Sequence, residues 1–311
     1  MPYGTLIRQI RQAKHIRLAD LADDQLSEAL LSRFERGQTD ITLTKFLHLL
    51  HRLHVTPEEF VLLADQPRRI GPDFFGHFSD FYFRIDASGH MENKEKALLR
   101  AQNLVTVTAQ DYRTAPTRWH LLNWRGAQIH LQRAKHNLDM PDTAVIDLTP
   151  VQEYLLNLDM WTAVDMQVYA FFLSELADDA NHLILQAAAK HIPERMLDSS
   201  WQRILFPAGE SQFMAFMVHG KMAYARDTLA ILEQITARSP NAMDGQVHLI
   251  FLTGWLAFVT GSDQTAGRQK MDQAISIFTI LDHRLEASRY RQLKEQITGA
   301  DPTPILPDIW L

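Results

Sequence analysis

The sequence predicts an all-α protein, with a five-helix bundle at the N terminus followed by an α-solenoid of paired helices. Three observations lead there. Apolar residues recur at three- and four-residue intervals, the period at which an α-helix turns one stripe toward a core. Runs that alternate polar and apolar residues, the mark of half-buried strands, are essentially missing. Prolines and glycines punctuate the periodic segments.

Taken in order, Leu6 and Ile10, then Leu18, Leu21 and Ala22, then Leu30, Leu31 and Phe34, then Phe46, Leu47, Leu50 and Leu53 mark four short helices. Thr56-Pro57-Glu58-Glu59 announces a fifth. Thr56 can cap it, Pro57 suits the first helical position, and Glu59 closes a capping box ahead of Phe60 and Leu63. These helices define a first domain over residues 1–66. Two prolines and a glycine then mark a linker at 67–72.

The next domain, 73–300, reads as helices over 73–85, 92–110, 117–136, 150–158, 160–176, 182–205, 212–220, 223–237, 243–260, 265–281 and 284–298. Breaks are expected at Pro116, Pro141, Pro193, Pro207, Pro240 and Gly261. No exact repeat is visible. Paired amphipathic helices joined by short polar turns nevertheless resemble a tetratricopeptide-like solenoid whose consensus has drifted. In the tail, 301–311, Pro302, Pro304 and Pro307 forbid a helix while Ile305, Leu306, Ile309, Trp310 and Leu311 make it apolar. It is expected to pack on the last helices or a partner subunit, or else to compete with a ligand for a groove.

With 311 residues, 46% of them hydrophobic and 22% charged, the chain has the makeup of a folded globular protein. It contains no cysteine, which excludes disulfides, thiolate metal sites and a cysteine nucleophile and suits a reducing cytoplasm. Arg8, Arg11 and Lys14 interrupt the N terminus before any signal-peptide core can form. The longest apolar stretch, near 249–259, is too short to span a bilayer, so no membrane association is expected. No phosphate-binding glycine loop, His-Glu-x-x-His motif or Gly-x-Ser-x-Gly elbow is present. The expectation is a non-enzyme without catalytic residues or cofactors. His48, His51 and His54 recur every third residue and could share a metal or titrate as a switch, but they drift around a helix and lack a completing carboxylate.

Within the first bundle, Leu18 to Ala22 reads as the supporting helix of a helix-turn-helix and Ser27 to Arg36 as its recognition helix, capped by Ser27 and stopped by Gly37. Leu31 and Phe34 then face inward, which turns Glu28, Ala29, Ser32 and Arg33 outward toward a DNA major groove. Arg33 is the best base reader, because a guanidinium can bond guanine O6 and N7 together, and Ser32 is a weaker donor. Arg8, Arg11 and Lys14 could hold phosphates, with Arg36 a fourth candidate. Residues 1–66 hold eight Lys or Arg against nine Asp or Glu, and the whole chain carries −6. A single copy should therefore bind double-stranded DNA modestly and with strong salt dependence, and a homodimer would supply the specificity.

The open side of a solenoid is a groove for an extended peptide. Trp161, Tyr169 and Phe172 are spaced to lie near one side of the 160–176 helix, and Tyr224, Trp255 and Phe258 sit on later helices that could face the same groove. Arg84, Asn181, His219 and Arg226 could hold a peptide backbone or carboxylate. Aromatic residues at helical spacing serve a core more often than a ligand.

The run Leu-Ser-Arg-Phe-Glu-Arg-Gly at 31–37, with Asp40-Ile41-Thr42-Leu43 and Thr56-Pro57-Glu58-Glu59-Phe60, resembles the Rgg/GadR/MutR regulators of Gram-positive bacteria. Near the other end, Gly254, Trp255, Phe258, Gly261 and the segment Gln273-Ala274-Ile275-Ser276-Ile277-Phe278 are similar to the family's C-terminal part. The resemblance implies an Xre-type DNA-binding domain and a helical repeat domain. In that family the repeat domain dimerises and binds a short secreted peptide taken back into the cell. Glu28, Ala29 and Leu30 stand where relatives often carry Lys, Ser or Gln, so the family's familiar operator is not carried over. The resemblance thus implies a cytoplasmic, peptide-controlled transcription regulator. Two alternatives stay open: a helical interaction protein that binds a folded partner and uses its DNA-targeting domain for delivery, and a small-molecule or pH sensor.

Overall fold

A computed structural model describes residues 3–64, 93–140, 144–191, 200–237, 243–261 and 264–299, and all regular structure among them is helical. The chain divides into two compact units, 1–80 and 81–311. The expected linker, the helix at 73–85, Arg84 and the C-terminal tail lie outside the described residues.

The first unit contains α1 (Tyr3–Ala13), α2 (Leu18–Leu21), α3 (Glu28–Glu35), α4 (Leu43–Arg52) and α5 (Pro57–Leu63). Local chemistry sets their starts. The Ser27 hydroxyl accepts from Leu30 N, and Thr42 from Lys45 N. Thr56 and Glu59 form the anticipated reciprocal box, each satisfying a backbone N–H that the helix leaves unpaired. After α3, Gly37 takes φ +70°, a left-handed exit that a side chain would strain. Ile7, Leu21, Leu26, Leu31, Leu49, Leu53 and Phe60 fill the centre.

In the second unit lie α6 (Lys94–Thr114), α7 (Arg118–His136), α8 (Thr149–Leu156), α9 (Ala163–Phe172) with a 3-10 turn at Leu173–Glu175, and α10 (Asp178–His191). They are followed by α11 (Ser200–Val218), α12 (Met222–Ala237), α13 (Met243–Thr260), α14 (Gln264–Ile280) and α15 (Arg284–Thr298). Sequential neighbours pack together, notably α6 with α7, α11 with α12, α13 with α14, and α14 with α15. A continuous core of Phe213, Phe216, Leu232, Phe251, Trp255, Phe278 and Tyr290 joins α11 through α15.

One expected break does not occur. The sequence divides helices at Pro207, yet α11 runs through it, and the expected 182–205 segment is instead shared between α10 and α11. An interior proline costs on the order of 3 kcal/mol. Burying Phe206, Phe213, Met214, Phe216 and Met217 on the same helix outweighs that, at roughly 1.5–3 kcal/mol for each large side chain.

The α13–α14 pair is unusually close. A Cβ built on Gly267 would stand 2.6 Å from Phe258 N, and one on Gly254 would stand 2.9 Å from the Gly267 carbonyl oxygen and from Lys270 Cβ. Only two facing glycines permit that approach. The same contacts fix the pair as antiparallel, with Lys270 level with Gly254.

Candidate DNA-binding face and ligand cleft

α3 presents two faces of different chemistry. Leu31 and Phe34 are buried, whereas Ser27, Glu28, Ala29, Arg33 and Arg36 are exposed and Ser32 is half-buried. The Arg33 guanidinium has no hydrogen bond or ion pair among the described residues. It is therefore available to an external acceptor.

The remaining cations divide. Arg8 is exposed on α1. Arg11 instead makes a two-point bond to Glu35, Nε to Oε1 at 2.7 Å and Nη2 to Oε2 at 2.8 Å, with side chains 13% and 6% exposed. A further N–H reaches the Ile16 carbonyl. This corrects its expected role as a phosphate holder: Glu35 is a buried carboxylate that needs a partner, and Arg11 is that partner. Glu35 in turn drives the Arg11 pKa above its usual value, chiefly by accepting its hydrogen bond. Lys14 also bonds inward, donating to the Leu53 and His54 carbonyls at the end of α4.

Asp23 is a residue whose role sequence reasoning missed. Its Oδ1 accepts from Gln25 N and Leu26 N and shapes the turn between α2 and α3, while Oδ2 lies 2.6 Å from His48 Nε2 and 3.4 Å from Arg52. The bond from His48, helped by those two backbone donors, holds its carboxyl below the usual range. The signal was an aspartate just before a polar turn, which favours such side-chain-to-backbone bonds. The histidine triplet is split accordingly. His48 faces Asp23, His54 takes φ +52° beyond α4, and no group of three or more potential ligands among the described residues could hold a metal.

In the second unit most of the expected ligand contacts are structural. Trp161, Tyr169 and Phe172 are fully buried, Trp255 is 2% exposed and Phe258 is 8% exposed. Trp161 meets Tyr169 edge to face, Trp255 packs on Phe213, and Arg268 covers Phe258. These five are corrected to core residues, because helical spacing of aromatics reports burial before it reports binding. Asn181 is buried too, donating to the Leu173 and Leu176 carbonyls across the turn that links α9 and α10. His219 pairs with Asp178, and Tyr224 donates to Asp179 while stacking on His182. Arg226 stays exposed.

Other residues line an open cleft of about 430 Å³ between α12, α13 and α14. Leu249 and Ile250 of α13 give it an apolar floor, with Gln246 and Thr253 beside them. Glu233 on α12 and Lys270 on α14 bring opposite charges to the two sides, and Gln273 adds a second amide. Glu233, Gln246, Lys270 and Gln273 make no side-chain hydrogen bond or ion pair among the described residues. No periodicity singles out such residues, since three helices contribute them.

The far side of α13 carries a buried polar cluster. The Tyr290 hydroxyl donates to Glu210 Oε1, and His248 Nδ1 lies 2.9 Å from the same oxygen. Desolvation opposes the charged imidazole, but the Glu210 charge and hydrogen bond outweigh it and keep the His248 pKa above its usual value.

Residues 121–292 match the family model described as the HTH-type transcriptional regulator Rgg, C-terminal domain. This chain belongs to the Rgg family. That family comprises transcription regulators rather than enzymes. The Rgg-type fold extends over nearly the whole chain. The SHP pheromone receptor Rgg2 of Streptococcus dysgalactiae superposes with a TM-score of 0.74 at 18% identity, covering 94% of this chain and 98% of that one. A protein of Listeria monocytogenes EGD-e assigned as a transcriptional regulator gives 0.72 at 19% identity, covering 95% and 96%. PrgX in its complex with iCF10 gives 0.67 at 13% identity, covering 99% of each chain. At such identities the likeness speaks for the fold. No curated protein sequence matches the chain. Among the described residues no helix is long and apolar enough to cross a membrane.

Proposed function

We propose that this Rgg-family chain is a cytoplasmic, homodimeric DNA-binding regulator whose occupancy or output on double-stranded DNA is set by a short hydrophobic peptide. Residues 1–66 act as the DNA-binding domain, and 73–300 bind the peptide and dimerise. The observation that carries the reading is the outward face of α3, where a capped helix offers an uncommitted Arg33 while Arg11 and Lys14 are spent on the bundle.

Arg33 reads base edges, Ser32, Glu28 and Ala29 approach the same groove, and Arg8 and Arg36 contact phosphates. The peptide lies in the α12–α14 cleft, whose apolar floor and free amides suit an extended backbone bearing apolar side chains. Rgg2, with the same fold, is a pheromone receptor, which favours a peptide over a folded partner. A peptide changes the output only by binding one arrangement of the DNA-binding domains better than another.

Genome-wide mapping of bound DNA, with and without peptides encoded near the gene, tests the reading. Arg33→Ala should relax sequence preference at one position of each half-site, a loss of about 1–3 kcal/mol of discrimination. Unaltered preference would remove Arg33 as the reader. Thermal stabilisation by a folded protein alone, and by no peptide, would reverse the choice of ligand.

A further inference from the structure

The cleft has a charge pattern that the peptide reading by itself does not require. Of its lining residues only Glu233 and Lys270 are charged, and they stand on different helices with the Leu249–Ile250 floor of α13 between them. Lys270 lies beside Gly254, and Glu233 stands one turn before Thr236, which lies against Gly245. Both charges are exposed and neither has an ion-pair partner among the described residues. Two charges held apart over an apolar floor match a ligand that is charged oppositely at its two ends and apolar between them.

We infer that Glu233 and Lys270 determine specificity, selecting peptides with an apolar centre flanked by a cation for Glu233 and an anion for Lys270, and so fixing the direction in which the chain lies. This inference rests on the peptide-receptor reading above and narrows its ligand from hydrophobic to dipolar. Gln246 and Gln273 each offer one carbonyl and one amide group, enough to pair with main chain without reading side chains. Packed helices stand about 8–10 Å apart, so charges on either side of α13 are separated by on the order of 15 Å. An extended chain covers that span in about five residues at 3.3–3.6 Å each.

The test uses pools of N-acetylated, C-amidated pentapeptides whose three central positions are Ile, Leu, Val or Phe. One pool carries Lys and Asp at its ends, and the other carries Gln and Asn. Affinity for the full-length protein is read from the concentration dependence of its thermal shift. The dipolar pool should bind wild type about tenfold more tightly than the neutral pool, at about threefold per exposed charge. Glu233→Gln or Lys270→Gln should each cut the advantage to about threefold, and the double variant should abolish it, with no change in ligand-free melting. Equal binding of both pools to wild type, or an advantage that survives in the double variant, would overturn the dipolar inference and leave the receptor reading standing. Failure of both pools to bind at millimolar concentration would overturn both.

Discussion

The two units cap their helices alike and differ in what their distant residues build. In the first, side chains three residues from their partners set the helix starts, as at Ser27, Thr42 and Thr56, and one buried pair, Arg11 with Glu35, ties α1 to α3. In the second, Glu210 of α11 meets His248 of α13 and Tyr290 of α15, 38 and 80 positions away, and Gly254 of α13 meets Gly267 of α14. The difference shows where function can reside. A locally braced bundle can leave one face of one helix uncommitted, whereas a stack of helices makes its sites only where several of them converge.

The tryptophans make the comparison measurable, since all six lie beyond residue 80. Their emission reports the second unit, while circular dichroism reports both. The largest expected effect is that of Arg11→Ala, which strands the buried Glu35 carboxylate and should cost about 3 kcal/mol. It should appear in the dichroism transition with the tryptophan transition unmoved. Arg8→Ala, one turn away but exposed, should leave stability alone and lower DNA affinity together with its salt dependence. If the two behave alike, the division between framework and DNA-facing cations fails.

Next comes Gly267→Ala. Its methyl group would meet backbone atoms of α13, and overpacking of that kind costs about 2 kcal/mol, more than the alanine gains in helix propensity. Here the tryptophan transition should shift to lower denaturant. The smallest effect is pH-dependent. Because the folded His248 pKa is raised, the cluster's contribution is fully present below pH 6.5, the usual imidazole value, and is lost as pH climbs through the raised value. His248→Gln should flatten that decline in the stability of the second unit, and an unchanged slope would exclude His248 as its source.

The same contrast explains what the sequence disclosed. The boundaries of α3 and α5 follow from caps and stops, which act over a single turn, so Ser27, Gly37 and the Thr56–Glu59 box were readable directly. The second unit's helices were legible through periodicity, and α13 and α15 occupy the ranges that their spacing implies. Pro207 was misread because a proline's local cost is visible in sequence and the aromatic burial that offsets it is not. The expected aromatic contacts were misassigned for a related reason: Trp161, Tyr169 and Phe172 have the spacing of a stripe, and the stripe faces the core. The cleft residues Glu233, Gln246 and Lys270 belong to three helices and become neighbours only once those helices are stacked.

The paired glycines carry one last consequence. At Gly254 and Gly267, α13 and α14 meet backbone against backbone, without the side chains whose rotamers would let one slide past the other there. They must travel together as a single plate. Any guest that wedges against Leu249 and Ile250 therefore drags Lys270 and Gln273 along instead of prising the floor from its wall, so that a local push becomes displacement of an entire hairpin.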